Sequence, residues 1–285
     1  MNKRIYLIIL YVLTLFICFA AISHHLGRAV SGCGSCVAAA YDDYKWDYSK
    51  WDTTELSGER IKKDYDCEDV TEIQANISVS TFVIKDGDEY NVHFDGDKVL
   101  EPTVTLEGKR LVVKQPEVRL KASAFRSDSE ITITIPGGRL DSLKVDASVG
   151  DITVNGIKVD EINLDAAVGV IKVDDIKVSE KSRFDAHVGD IRISDSSLAD
   201  TDIDAAVGAI KLTDTDFEDA DIDAAVGDVN ISGGVDIDDY TMDLDCALGN
   251  VKINGRNYGK KHRTGSGKYS LRIDANVGEI KITEK

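Results

Sequence analysis

Several things are scarce in this chain, and each scarcity excludes a class of protein. Five cysteines in 285 residues cannot build a disulfide framework, so stability has to come from packing and backbone hydrogen bonds. Positive charge is short as well: 34 Lys and Arg stand against 51 Asp and Glu, a net charge of -17. That balance excludes sequence-independent binding to nucleic acid or anionic lipid, which is driven by basic groups neutralising phosphates, and any anionic partner needs a local basic patch. Histidine is rare, and the five present, His24, His25, His93, His187 and His262, lie in unrelated contexts. No GxSxG, HExxH or P-loop sequence occurs, so no residue is expected to be catalytic. What remains is apolar enough, at 42% hydrophobic, to exclude wholesale disorder, and long enough for one large or two ordinary domains.

After Lys3 and Arg4 comes an uncharged run, Ile5 to Ser23. As a helix it would span roughly 28 Å, just enough to cross a hydrocarbon core. The expected organisation is a cytoplasmic basic tail at 1–4, a transmembrane helix or signal-anchor at 5–23, a membrane-proximal linker at 24–68 and an extracytoplasmic domain at 69–285. Basic residues before the run and acidic bulk after it orient the chain N-in, C-out, as a single-pass protein of the cell membrane. Two other readings stay open. Ala21-Ile22-Ser23 suits a cleaved signal peptide, and Val30-Ser31-Gly32-Cys33 looks like a lipoprotein box. All three place the rest of the chain outside the cytoplasmic membrane. In the linker, Cys33 and Cys36 form a CxxC without a second pair or a βαβ context. Tyr44, Trp46 and Tyr48 alternate so as to share one face of a strand.

From residue 143 one pattern recurs: VDASVGDITV, LDAAVGVIKV, FDAHVGDIRI, IDAAVGAIKL, IDAAVGDVNI, LDCALGNVKI and IDANVGEIKI. Its aspartates, Asp146, Asp165, Asp185, Asp204, Asp223, Asp245 and Asp274, are spaced 19, 20, 19, 19, 22 and 29 apart. A period near 20 means stacked units of one supersecondary type. Within each unit the apolar residues alternate with period two, as in Ile203, Ala205, Val207 and then Ile210, Leu212, which is strand spacing. Gly208 and its counterparts fall between the two alternating runs, where a corner needs positive φ. The expected fold is all-β: a single β-solenoid with rungs of about 19–20 residues, an apolar core shared between rungs, and shielded ends. Upstream, Ile73 to Ile84 reads as a degenerate first rung, and EYNVHF, RLVVK and EITITI as strands separated by turn signals. Residues 69–142 are thus expected to form irregular opening coils and 143–285 the regular repeats.

The ITITIPGG entry and the repeated DAxVGxIxI, behind an N-terminal apolar run, resemble a bacterial β-strand-repeat family labelled "putative adhesin". It is a domain-of-unknown-function family that includes LiaG-type cell-envelope proteins. The resemblance covers about residues 70 to 285 and implies a surface-exposed β-solenoid with no established enzyme activity and no catalytic residues to carry over.

The outward positions carry charge. In each repeat the Asp and the residue two before it face out, and that second column reads Lys144, Asn163, Arg183, Asp202, Asp221, Asp243, Arg272 in chain order. Three consecutive rungs therefore present Asp202, Asp204, Asp221, Asp223, Asp243 and Asp245 together, six carboxylates on one small face. From Asp195 to Asp245, 15 Asp and Glu218 against Lys211 alone leave a local charge of -15. Carboxylates one rung apart repel by about 0.9 kcal/mol even in water. Ca²⁺ would relieve that repulsion, with those six aspartates as its candidate ligands; the plainer reading is a solvated acidic face. On the second strand the outward column is basic, with Lys172, Arg192, Lys211, Lys252 and Lys281 interrupted by Thr153 and Asn230. The Gly content of a basic insertion at 254–271 predicts a loop, which carries Arg256, Lys260, Lys261, Arg263 and Lys268. It is expected to fold back on the acidic face or to contact an anionic envelope polymer or lipid headgroups.

The function expected from these features is a non-enzymatic binding or scaffolding module of the cell envelope. Its partners would be the membrane, through the N-terminal helix, and a cell-wall polymer, a glycan or another envelope protein. A parallel β-helix carbohydrate-active enzyme using the Asp-rich face is one alternative; an evenly repeated ladder, however, lacks the two differing carboxylates a glycosidase needs. An accessory role in envelope-stress signalling is another, suggested by the LiaG-type resemblance alone.

Overall fold

The computed structural model describes residues 56–118 and 128–284. The expected membrane segment, the Cys33/Cys36 pair and the aromatic run before residue 52 lie outside them. The opening region contributes β1 (Arg60–Tyr65), β2 (Glu72–Val79), β3 (Thr81–Gly87), β4 (Asn91–Asp97), β5 (Thr103–Glu107), β6 (Arg110–Lys114) and β7 (Glu130–Pro136). Each repeat then supplies a long strand, a glycine corner and a short strand. In chain order these are β8 (Arg139–Val149) with β9 (Ile152–Asn155), β10 (Lys158–Val168) with β11 (Ile171–Asp174), and β12 (Lys177–Val188) with β13 (Ile191–Ser194). After the two-residue β14 (Ser197–Leu198) come β15 (Asp200–Val207) and β16 (Ile210–Thr213). After the two-residue β17 (Asp216–Phe217) come β18 (Ala220–Val226) and β19 (Val229–Ser232). The chain continues through β20 (Tyr240–Leu248), β21 (Val251–Ile253), β22 (Arg256–Gly259), β23 (Lys261–Arg263), β24 (Tyr269–Val277) and β25 (Ile280–Thr283).

Long strands pair with long and short with short, in register, giving two sheets of mainly parallel strands. The long-strand sheet runs β23-β20-β24-β18-β15-β12-β10-β8-β2-β6-β5, and the short-strand sheet β1-β4-β7-β3-β9-β11-β13-β16-β19-β25-β21-β22. The period-two pattern explains why. One inward column holds Val145, Leu164, Phe184, Ile203, Ile222, Ile273 and Leu244, all fully or almost fully buried, and the short strands contribute a matching column led by Ile171, Ile191 and Ile210. No rung hides these side chains alone; stacking covers each with the rungs beside it. Ala147, Ala166, Ala186, Ala205, Ala224, Ala275 and Cys246 form a second inward column, so the cysteine is a small core residue, with its thiol directed at the Gly278 carbonyl at 3.1 Å.

Two backbone devices turn the chain. At the first corner Gly208 has φ +154°, and a Cβ there would lie 1.9 Å from the Gly189 carbonyl oxygen of the adjacent rung. At the second, Asp175, Asp195 and Asp214 take φ of 50°, 49° and 47°. This is the left-handed region that Asp tolerates better than most residues. The first corner was legible as a glycine; the second, marked by an aspartate, was not.

Four expectations need correction or refinement. Within the stretch 24–68 expected as linker, Arg60–Tyr65 is instead a strand: β1 pairs antiparallel with β4 and joins the short-strand sheet. The opening coils are more ordered than expected: β2 and β3 form a true first rung against β8 and β9, and β4, β5 and β1 close that end through antiparallel pairs. The basic insertion 254–271 is not a loop. Its β22 pairs antiparallel with β21 and its β23 with β20, so it caps both sheets at the far end. Finally, the rungs are not stacked in chain order. β24 lies between β18 and β20, and β25 between β19 and β21, so the rung that comes last in the sequence sits one place in from the end.

Candidate functional site

The out-of-order rung rearranges the acidic face. Asp202 and Asp204 on β15 do adjoin Asp221 and Asp223 on β18, but next comes β24 with Arg272 and Asp274, and only then β20 with Asp243 and Asp245. The expected single face of six carboxylates is thus divided into four and two. Arg272 occupies the break, with its guanidinium 3.5 Å from Asp221 and 2.5 Å from Asp274. Lys181 lies 3.6 Å from Asp202, and Arg183 3.5 Å from Asp204. On the far side β23 supplies Arg263, 2.8 Å from Asp243, and Lys261, 2.5 Å from Asp245. Among the described residues, no three His, Cys, Asp or Glu side chains are grouped as a metal ion would need.

Within this ladder the aspartates stay uncomfortable. Asp165, Asp204 and Asp223 are all held above the ordinary carboxylate value of 3.8, chiefly by burial. Neighbouring charge adds to it: Asp185 beside Asp165, Asp185 and Asp223 beside Asp204, and Asp221 and Asp274 beside Asp223. Folding therefore favours their protonated forms. Their contribution to stability is greatest below their unfolded value and is lost as pH rises through the raised one. Other carboxylates act in the opposite sense. Asp95, bonded by Arg60, is held down to about 2, and Asp190 is lowered by the Ala209 N–H; stability from these is present above the unfolded value and lost as pH falls through the lowered one. Asp204→Asn/Asp223→Asn is accordingly expected to raise the melting temperature at pH 7 by ~2–4 °C, for about 1 kcal/mol in all. Melts repeated near pH 4 should show that gain shrinking, and equal gains at both pH values would contradict it.

The short-strand face carries the basic column, and there a set of functional carboxylates went unseen in the sequence. Asp151, Asp190 and Asp228 each follow a corner glycine and accept the backbone N–H of the corresponding residue one rung on: Val170 at 2.9 Å, Ala209 at 2.9 Å and Glu279 at 2.8 Å. Each thereby brackets two rungs. Asp151 also takes Lys172 at 2.9 Å and Asp190 takes Arg192 at 2.8 Å, while Lys252 meets Glu279. Lys211 and Lys281 form no ion pair among the described residues. The signal that could have revealed the brackets is an acid after the glycine in alternate rungs, Asp151, Val170, Asp190, Ala209, Asp228.

At the capped end the five basic candidates divide. Lys261 and Arg263 fold back on Asp245 and Asp243, as one of the two expectations had it. Arg256 instead lies over the Tyr258 ring at 5.2 Å, Tyr258 packs on His262 at 4.1 Å between centroids, and Lys268 lies 4.2 Å from the centre of Tyr269. The Lys260 amine donates to the Ala247 carbonyl at 2.8 Å. Arg256, Lys260 and Lys268 make no ion pair among the described residues. All three are exposed, and two of them, Arg256 and Lys268, lie beside aromatic rings at the capped end.

A family model described as Toastrack DUF4097 matches residues 70–284, which is the whole of the two-sheet stack from its first rung. The chain belongs to that family. Several proteins of known structure resemble it at low identity. A "putative adhesin" from Bacteroides fragilis is 17% identical, with a TM-score of 0.48 over 79% of this chain and 98% of that one. A "putative cell adhesion protein" from Clostridium sporogenes is 18% identical, with a TM-score of 0.40 over 80% and 100%. A "putative lipid binding protein" from Parabacteroides distasonis is 12% identical, with a TM-score of 0.33 over 80% and 95%. No curated protein matches the chain. The stack itself is all-β, with long sheets of mainly parallel strands, as the repeat implied.

Proposed function

We propose that the chain is a non-enzymatic, membrane-anchored toastrack module on the outer side of the cytoplasmic membrane, and that it binds an anionic polymer of the cell envelope through its capped end. The observation that carries this reading is the set of exposed cations at the capped end that make no ion pair among the described residues, Arg256 on β22, Lys260 in the turn to β23 and Lys268 just before β24, two of them set over aromatic rings. A stacked guanidinium and two exposed amines are what a phosphate- or carboxylate-bearing chain needs, and the ion-paired Lys261 and Arg263 are not available on the same terms. The aspartate column on the long-strand face repels the same polymer, which keeps contact off that face. The uncharged run Ile5–Ser23 behind Lys3 and Arg4 supports the anchor and the N-in, C-out orientation.

The test is binding of residues 52–285 to an isolated phosphate-bearing wall polymer, with a neutral glycan as reference. The expected result is a preference for the charged polymer that weakens with salt and drops at least tenfold, about 1.4 kcal/mol, in Arg256→Ala/Lys260→Ala/Lys268→Ala. Equal binding of both polymers, or an unchanged affinity in the triple variant, would move the contact elsewhere.

A further inference from the structure

The chain contains two Asn-Gly pairs, Asn155-Gly156 and Asn254-Gly255, and the fold treats them oppositely. An asparagine is chemically most vulnerable before glycine, because no Cβ shields the next backbone nitrogen from the side-chain amide carbon. At Gly156 that nitrogen is engaged: its N–H donates to the Asp174 carbonyl at 3.1 Å, in the middle of the short-strand sheet. Asn155 ends β9, between β3 and β11, and its amide donates to Asp174 Oδ2 at 3.0 Å. At Gly255 the nitrogen is free. Asn254 and Gly255 take φ of 50° and 77° and form the two-residue turn between the paired Ile253 and Arg256, the hairpin geometry that Asn-Gly favours. The Gly255 N–H makes no hydrogen bond among the described residues, and the space around this glycine is open to 4 Å.

What restrains Asn254 is Glu284. The Asn254 amide donates to Glu284 Oε2 at 2.5 Å, and its oxygen accepts the Glu284 N–H at 3.0 Å. The side chain thereby continues the β21–β25 ladder one step past the bond from the Asn254 N–H to the Ile282 carbonyl at 2.9 Å. Glu284 also accepts the Ile237 N–H at 3.2 Å, so this one carboxylate ties residues 237, 254 and 284 together. Asn254 is exposed and Glu284 half-buried, so the clamp opens into water. Each opening frees the amide carbon to swing towards the Gly255 nitrogen. We propose that Asn254 is a self-modification site, at which the capped hairpin converts with time to aspartate and isoaspartate forms at a rate set by the Glu284 clamp.

The chemistry needs water and no other reactant. The Gly255 nitrogen attacks Asn254 Cγ; the new N–Cγ bond closes a five-membered imide as the Cγ–Nδ2 bond breaks, and ammonia leaves carrying the amide proton. Water then opens the ring. Attack at Cγ leaves aspartate in an unchanged main chain, whereas attack at the Asn254 backbone carbonyl leaves isoaspartate, with the main chain running through Cβ. Either product sets a carboxylate against that of Glu284 where a donated hydrogen bond had been, and two residues from Arg256. Isoaspartate also lengthens a two-residue turn, which disturbs the register of Ile253 with Arg256 that seats β22 on the sheet. The cap is loosened by age instead of by a ligand. A weaker hold on an anionic polymer would follow from the reading of the tip given above; the conversion itself does not depend on it.

The experiment incubates the full chain in membranes in mildly alkaline buffer for days. Digestion under mildly acidic conditions with a lysine-specific protease then releases residues 145–158 and 253–260 as separate peptides. Mass spectrometry is expected to show 253–260 losing ammonia and gaining water, split between aspartate and isoaspartate forms, with 145–158 unchanged. A denatured sample, in which both pairs are free, should convert at Asn155 and Asn254 alike. Glu284→Ala should speed conversion in the folded chain at least tenfold, which corresponds to about 1.4 kcal/mol of lost clamp. Asn254→Gly keeps the turn and should leave 253–260 unchanged. Three results would overturn the inference: no change at Asn254 while the denatured chain converts, equal conversion of the two pairs in the folded chain, or a parental rate in Glu284→Ala. Conversion without any polymer binding would uphold it and count against the reading of the tip alone.

Discussion

Alanine at position 208 is expected to cost the fold more than about 4 kcal/mol, an effect in the rare upper tail for one methyl group on a surface turn. Two costs add. The backbone there sits at φ +154°, a conformation of glycine that side chains rarely adopt, and forcing another residue into it costs about 1–3 kcal/mol. The new Cβ would also sit 1.9 Å from the Gly189 carbonyl oxygen, and that oxygen cannot retreat. The Gly189 N–H is bonded to Val207 O, and the Gly208 N–H to Val226 O, both at 2.9 Å, so the rung spacing is set on both sides of the corner. Gly255 provides the comparison. It too has positive φ, +77°, but open space around it, and Gly255→Ala should cost only about 1–2 kcal/mol. Denaturant melts of residues 52–285 check the pair. Because rungs contact only their neighbours, Gly208→Ala should also split the transition, with the rungs before β12 melting near the parental midpoint.

Ending the chain at Arg263 is expected to unfold the far end of the stack while the middle survives. The cut removes β24 and β25, and with them the buried Leu271, Ile273, Ile280 and Ile282. At ~1.5–3 kcal/mol per side chain, burial worth about 6–12 kcal/mol disappears, comparable with the stability of a whole domain. The loss falls on two surfaces together, since β18 and β20 pair with opposite edges of the missing strand. Amide exchange should show protection lost across residues 240–263 and kept across 158–194. Adding a peptide of residues 264–285 should restore part of it. If the strands of 240–253 simply closed onto β18 and β19 and kept their protection, the out-of-order rung would be dispensable.

That rung also shows where sequence reading stops. Alternation and glycine spacing disclosed the strands, the corners and the inward columns, because those depend on each residue's own position within its repeat. Neighbour order does not: LDCALGNVKI and IDANVGEIKI fit beside β18 equally well by pattern. The spacings of 22 and 29 announced an irregularity without saying what it was. Charge held the answer. Chain order would stack Asp202, Asp221 and Asp243, whereas the observed order puts Arg272 after Asp221 and Arg263 beyond Asp243. β1 escaped notice for another reason: an edge strand with most residues exposed has almost no apolar rhythm, and Arg60–Tyr65 reads as charged linker.

The same feature sets an order of events when the protein is made. Rungs through β19 can each settle on the one before as they leave the synthesis machinery. The strands of residues 240–253 have no seat on the growing stack, because the place between is reserved for residues 269–283. At roughly 5–20 residues per second, those later strands arrive about 1.5–6 s afterwards. For that interval the nascent chain holds two apolar edges open, and a chaperone or a sister chain that met them would find a ready template.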